Sequence, residues 1–143
     1  MTTVVLDASV AAKWFLPGPS ETLRDEAFNL LGQYADGELR FIVPDLFWPE
    51  FGNILWKAEH QGRCSRTACE GAIAAMRDRK LPTFSSQELL HEAFTIATAF
   101  GRTVYDALYV ALAVAFKAQL VTADERLANS LAAYLPVKWL GSL

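Results

Sequence analysis

The feature that most constrains this chain is a series of short aliphatic runs without in–out alternation, each followed by a stretch with helical spacing. Val4-Val5-Leu6, Phe41-Ile42-Val43 and Leu120-Val121-Thr122 are apolar at nearly every position. A strand with one wet face alternates apolar and polar residues, so runs like these suit strands covered on both faces. The stretches between them supply the covers, and the pattern predicts a three-layer α/β fold with a mainly parallel central sheet of about five short strands. Strands are expected over 3–6, 41–43, 81–84, 120–122 and 137–139. Helices are expected over 9–15, from Pro19-Ser20-Glu21 to the Asp36-Gly37 turn, after Asp45 as a capping residue, and over 65–79, 86–100, 104–117 and 124–133.

With 143 residues, 52% of them apolar, the chain has enough material for a core of its own. No apolar run reaches the length that crosses a bilayer, and the opening Met1-Thr2-Thr3-Val4 lacks the basic segment of a secretion signal. A cytoplasmic location is therefore expected. Cys64 and Cys69 lack the two-residue gap of a zinc knuckle, and no second Cys or His pair follows, so both read as reduced thiols. His60 and His91 lie in polar helical stretches and read as surface residues. The net charge of −3 is not the basic balance of a typical nucleic-acid binder. RNA would need a local basic strip, for which Lys57, Arg63, Arg66, Arg77, Arg79 and Lys80 are the candidates. Each of them fits a solvated helix face equally well.

In parallel sheets ligands sit beyond the carboxyl ends of the strands, which turns the element pattern into a functional argument. Asp7 closes the first strand and Asp124 follows the strand at 120–122. Glu50 falls in the first turns of the helix after 41–43, and Asp106 at the start of the helix before 120–122. Singly, Asp124 reads as a helix N-cap, Asp106 as an acid favoured by a helix start, and Glu50 as an ordinary early-helix acid. Asp7 is harder to explain, because an acid closing a strand buried on both faces is costly without a partner. Together the four repel one another, and Arg126 is the one cation the sequence places beside any of them. A divalent cation relieves that repulsion, and an all-oxygen donor set points to Mg²⁺ or Mn²⁺. Such a centre can orient a phosphodiester, activate water and stabilise the leaving oxygen without a Ser, Cys or His nucleophile.

Four segments in order carry a family resemblance: Val4-Val5-Leu6-Asp7-Ala8-Ser9, Pro44-Asp45-Leu46-Phe47-Trp48-Pro49-Glu50-Phe51-Gly52-Asn53, Thr103-Val104-Tyr105-Asp106-Ala107, and Val121-Thr122-Ala123-Asp124-Glu125-Arg126. They resemble the four motifs of PIN-domain proteins, specifically the VapC-type toxins of prokaryotic toxin–antitoxin pairs, over essentially the whole chain. The resemblance implies a single PIN-like domain over 1–143 and a Mg²⁺-dependent endoribonuclease held in check by a cognate antitoxin. It also implies a homodimer. Asp7, Glu50, Asp106 and Asp124 take the acidic positions. Ser9, Asn53 and Thr122 take supporting positions beside them, although capping and local turn bonds also suit the two hydroxyls. Trp14, Phe15, Phe47, Trp48 and Trp56 crowd the first two motifs. Core packing explains most of them, and a groove for a partner helix or a dimer mate is the alternative.

Three other readings compete for the same residues. An aspartyl-phosphate phosphatase also opens on Val-Val-Leu-Asp but wants a second acid two residues later, where this chain has Ser9. A binding module that keeps the fold without turnover has no use for a complete acid set. A PIN nuclease that processes RNA or cuts DNA outside a toxin–antitoxin pair shares every motif.

Overall fold

Alternation of strand and helix is realised as the aliphatic runs require. The structure, a computed structural model, describes residues 1–19 and 21–143. Its elements are β1 (Thr2–Leu6), α1 (Ala8–Ala12), α2 (Arg24–Ala35), β2 (Leu39–Pro44), α3 (Phe47–His60), α4 (Arg66–Asp78), β3 (Thr83–Phe84), α5 (Ser86–Phe100), α6 (Val104–Phe116), β4 (Gln119–Thr122), α7 (Glu125–Leu131) and β5 (Val137–Trp139), followed by a 3-10 turn at Leu140–Ser142.

The sheet order is β3-β2-β1-β4-β5, and every neighbouring pair is parallel. The chain moves outward from β1 through β2 to β3, then returns to lay β4 on the other side of β1. That reversal makes the gap beyond the carboxyl ends of β1 and β4 the topological switch point, where an open α/β sheet leaves a crevice. Register fixes what lies there. Leu6 pairs with Val121, and the Asp7 amide donates to the Val121 carbonyl at 3.3 Å, so Asp7 and Thr122 leave the sheet side by side.

Helix α6 explains the strongly apolar stretch after Asp106. Ala107 through Ala113 are all buried, and α6 packs against α5, β1, β2 and β4. No single helix among the described residues is long and apolar enough to cross a membrane, and α5 and α6 meet at a bend of 115°. Trp14 and Phe47 are core residues, Phe15 and Trp48 pack against the core, and Trp56 stays exposed with its ring stacked on His60. Cys64 and Cys69 are free thiols.

Three local expectations change. Helix α2 starts at Arg24, after Leu23 in the left-handed region, and Glu21 lies ahead of it, paired with Lys13 and Arg63. The expected start at Ser20 lies outside the described residues. Asp45 does not cap α3: the chain turns through Asp45 and Leu46, the helix begins at Phe47, and its N-cap is Leu46, with no side-chain cap bond. The basic strip is also partly spent on the fold's own contacts. Arg63 and Arg66 pair with Glu21 and Glu70, and Arg79 lies over the Trp14 and Tyr34 rings. Lys57, Arg77 and Lys80 have no acidic partner among the described residues.

Candidate active site

The crevice at the switch point is a cavity of about 450 Å³ whose lining includes Asp7, Ser9, Glu50, Asn53, Asp106 and Asp124. All four acids expected from the sequence therefore face one space, although the chain brings them from four different elements. Ser9 and Asn53 join them in the wall, and buried Thr122 lies directly behind Asp7.

Asp7 sits at the N-cap of α1, where its Oδ1 accepts the Ser9 amide at 3.2 Å. Its Oδ2 accepts the Thr122 hydroxyl at 2.7 Å. Enclosure of the carboxylate pushes its pKa up, the Thr122 and Ser9 bonds pull it down, and the Asp106 charge adds to the rise. The same Thr122 hydroxyl accepts the Asp124 amide at 3.0 Å, and the Ser9 hydroxyl accepts the Ala123 amide at 3.2 Å. The Thr122 hydroxyl thus makes a local turn bond, the Ser9 hydroxyl a long-range one, and together they lock the ends of β1 and β4 around Asp7. Asp124 caps α7 through the Leu127 amide (3.1 Å) and still presents its other oxygen to the cavity side. For Asp124 the capping role and the site position coexist.

Glu50 is half-buried on α3, and the buried Tyr109 of α6 donates its hydroxyl to Glu50 Oε1 at 2.6 Å. Burial raises the Glu50 pKa, the Tyr109 bond opposes the rise, and the charges of Asp7 and Asp106 reinforce it. Tyr109 in turn holds its proton tightly, because burial and then the neighbouring Asp7 and Glu50 charges all disfavour a phenolate. The residues alone did not suggest Tyr109; its signal is the spacing of three from Asp106, which puts both on one side of α6. Asn53 lies one turn beyond Glu50 and reaches the wall, but makes no hydrogen bond to Glu50 among the described residues.

The expectation that Arg126 is the cation nearest the acids is corrected by the structure. Arg102 donates to Asp106 Oδ2 at 3.2 Å and lies 3.9 Å from Asp124 Oδ2. Gly101, at φ 67°, ends α5, and the Arg102 amide bonds back to the Ala97 carbonyl at 3.1 Å. Thr103 then caps α6 by accepting the Asp106 amide at 3.1 Å. This turn brings Arg102 to the acids; its signal in the sequence is the spacing of four from Asp106.

The donor chemistry suits a hard divalent cation: two enclosed carboxylates with raised pKa values, two more acids on the same wall, and no sulfur or imidazole. As the side chains stand, no group of three or more Asp, Glu, His or Cys among the described residues forms a ready cage. Thr122 and Tyr109 each donate to one oxygen of an acid and so fix its orientation, and Arg102 pairs with a third acid.

Comparison with known proteins agrees with this architecture. The sequence profile of the PIN domain matches residues 4–130. A Pyrobaculum aerophilum protein named Ribonuclease VapC3 is 33% identical over 128 residues, covering 88% of this chain and 92% of its own length. Among solved structures, VapBC2 from Rickettsia felis, bound to a DNA fragment from its promoter, superposes with a TM-score of 0.65 at 14% identity, over 96% of this chain and 98% of that one. Mycobacterium tuberculosis VapC20, a sarcin-ricin loop cleaving toxin, does so with a TM-score of 0.66 at 14% identity, over 92% and 95%. At such identities the two structures speak for the fold. The profile match and the VapC3 relative carry the assignment: the chain belongs to the PIN-domain family.

Proposed function

We propose that this protein is a metal-dependent endoribonuclease, the VapC-type toxin of a type II toxin–antitoxin pair. The observation that carries the reading is the convergence of Asp7, Glu50, Asp106 and Asp124 on one cavity at the switch point of the sheet. Its relatives support the class. One is named a ribonuclease, and solved structures of the same fold include toxin–antitoxin complexes. VapC nucleases of this family generally depend on a divalent metal.

Asp7, Glu50, Asp106 and Asp124 are the residues proposed to hold Mg²⁺ or Mn²⁺ and to carry catalysis. When bound, the ion supplies charge for the scissile phosphate, an activated water and a counter-charge for the leaving oxygen. The chain's own residues orient that chemistry. Thr122 and the Ser9 amide fix the Asp7 carboxylate, Tyr109 fixes Glu50, and Thr103 fixes the first turn that carries Asp106. Hydrolysis adds water across one P–O bond, so no covalent enzyme intermediate is required. Lys57, Arg77 and Lys80, the cations of the expected strip that lack acidic partners among the described residues, are the ones left to contact RNA. A cognate antitoxin blocks the anionic cavity with a basic side chain, and the toxin works in the cytoplasm as a homodimer.

The test is to incubate the purified chain with total cellular RNA and Mg²⁺ and to map new 5′ ends by sequencing, beside chelator and Asp106→Asn. Discrete ends that vanish in both controls support the reading. Ends that persist in either control refute it, as does their absence when the protein is free of inhibitor.

A further inference from the structure

The metal reading leaves one charged group unexplained, the guanidinium of Arg102. It donates to Asp106 at 3.2 Å and approaches Asp124 to 3.9 Å, so one positive group spans two of the four acids. Both acids, Asp106 and Asp124, face the cavity. The Arg102 side chain is only 25% exposed, and its Nε is buried with no hydrogen-bond partner. An unpaired buried donor is costly, and the carboxylates at the far end of the side chain help to offset that cost. Its root is fixed as well. Gly101 and the Arg102 amide close the end of α5, and Thr103 opens α6, so the backbone at Arg102 is bonded on both sides.

Resting on the metal-nuclease reading above, we infer that Arg102 is the resident counter-ion of the site, the group a divalent cation displaces from the Asp106–Asp124 pair. Removing a competing positive charge frees both carboxylates for the ion, while the charge left behind in the metal-free protein is less well balanced. Arg102 is thus a positioning residue that sets how much free cation the site needs. Because its backbone is tied down, the exchange moves one side chain and leaves the α5–α6 turn in place.

The experiment is calorimetric titration of the metal-free full chain with Mn²⁺, comparing wild type with Arg102→Met, Arg102→Lys and the control Arg66→Ala, whose partner Glu70 lies away from the cavity. Arg102→Met keeps length and stem packing while removing the charge. It is expected to bind Mn²⁺ more tightly, by about fivefold for two partly exposed pairs. Arg102→Lys is expected to return the affinity toward wild type, and Arg66→Ala to leave it unchanged. The melting temperature of Arg102→Met is expected to be lower than wild type in chelator and to gain more from saturating Mn²⁺. Unchanged or weaker Mn²⁺ binding by Arg102→Met, with wild type binding normally, overturns this inference and leaves the metal site standing. Absence of Mn²⁺ binding in every protein, wild type included, overturns the metal reading and this inference with it.

Discussion

At the scale of single residues, Asp7 and Glu50 hold charge where burial and neighbouring acids oppose it. A folded-state pKa above the unfolded one means that the folded chain binds protons more tightly. The stability this contributes is complete below the ordinary carboxylate range and is lost as the pH rises through the raised values. Metal-free protein is therefore expected to melt higher at acidic than at neutral pH as far as these two groups are concerned, and Asp7→Asn is expected to flatten that difference. Thermal melts in chelator at both pH values check it. At neutral pH, Asp7→Asn is expected to abolish cleavage while leaving metal-free stability unchanged or slightly higher, since it removes a buried charge. Strong destabilisation of Asp7→Asn in chelator counts against a metal-site role. Tyr109→Phe strips Glu50 of its 2.6 Å bond and is expected to cost about 1 kcal/mol, or roughly 3 °C in melting temperature. The Glu50 pKa rises further in that variant, because the lost bond had been holding it down.

Elements place these residues, and this is where the sequence was most and least legible. Strands β1, β2 and β4 announced themselves as unalternating aliphatic runs, and α5 begins and ends where Ser86 and Gly101 predict, because a left-handed stop suits glycine. Ser65 likewise caps α4 through the Ala68 amide. Asp45 looked like an equally good cap, but Asp45 and Leu46 form a turn and α3 begins only at Phe47, which puts Leu46 at the N-cap position. The start of α2 differs from the expected one because local spacing does not reveal the left-handed backbone at Leu23. Arg102 stands four residues before Asp106, a spacing at which side chains meet once the turn capped by Thr103 is helical, and its reach to Asp124 is what sequence order does not show. Thr103→Ala removes the cap of α6 and is expected to cost about 1 kcal/mol. Because that turn carries Asp106, cleavage is expected to fall as well, and Thr103→Ser is expected to restore both. Melting curves and initial cleavage rates of the two variants check this.

For the whole molecule, the reversal of strand order at β1 and β4 does the assembling. Four acids spaced across most of the chain meet because two follow the central strands and two lie on helices packed beside them. The sequence placed each acid at the carboxyl edge of the sheet, and the motif order tied them to one family. Neither source could supply the bonds that now orient the acids: Thr122 to Asp7, Tyr109 to Glu50 and Arg102 to Asp106 join residues through side-chain geometry. The central claim is that these acids make one cation site. Anomalous diffraction from crystals soaked in Mn²⁺ tests it most directly. A peak in contact with Asp7 and at least one of Glu50, Asp106 and Asp124 is the result predicted here. A soaked crystal with no peak in the cavity, or with Mn²⁺ bound only elsewhere, contradicts it.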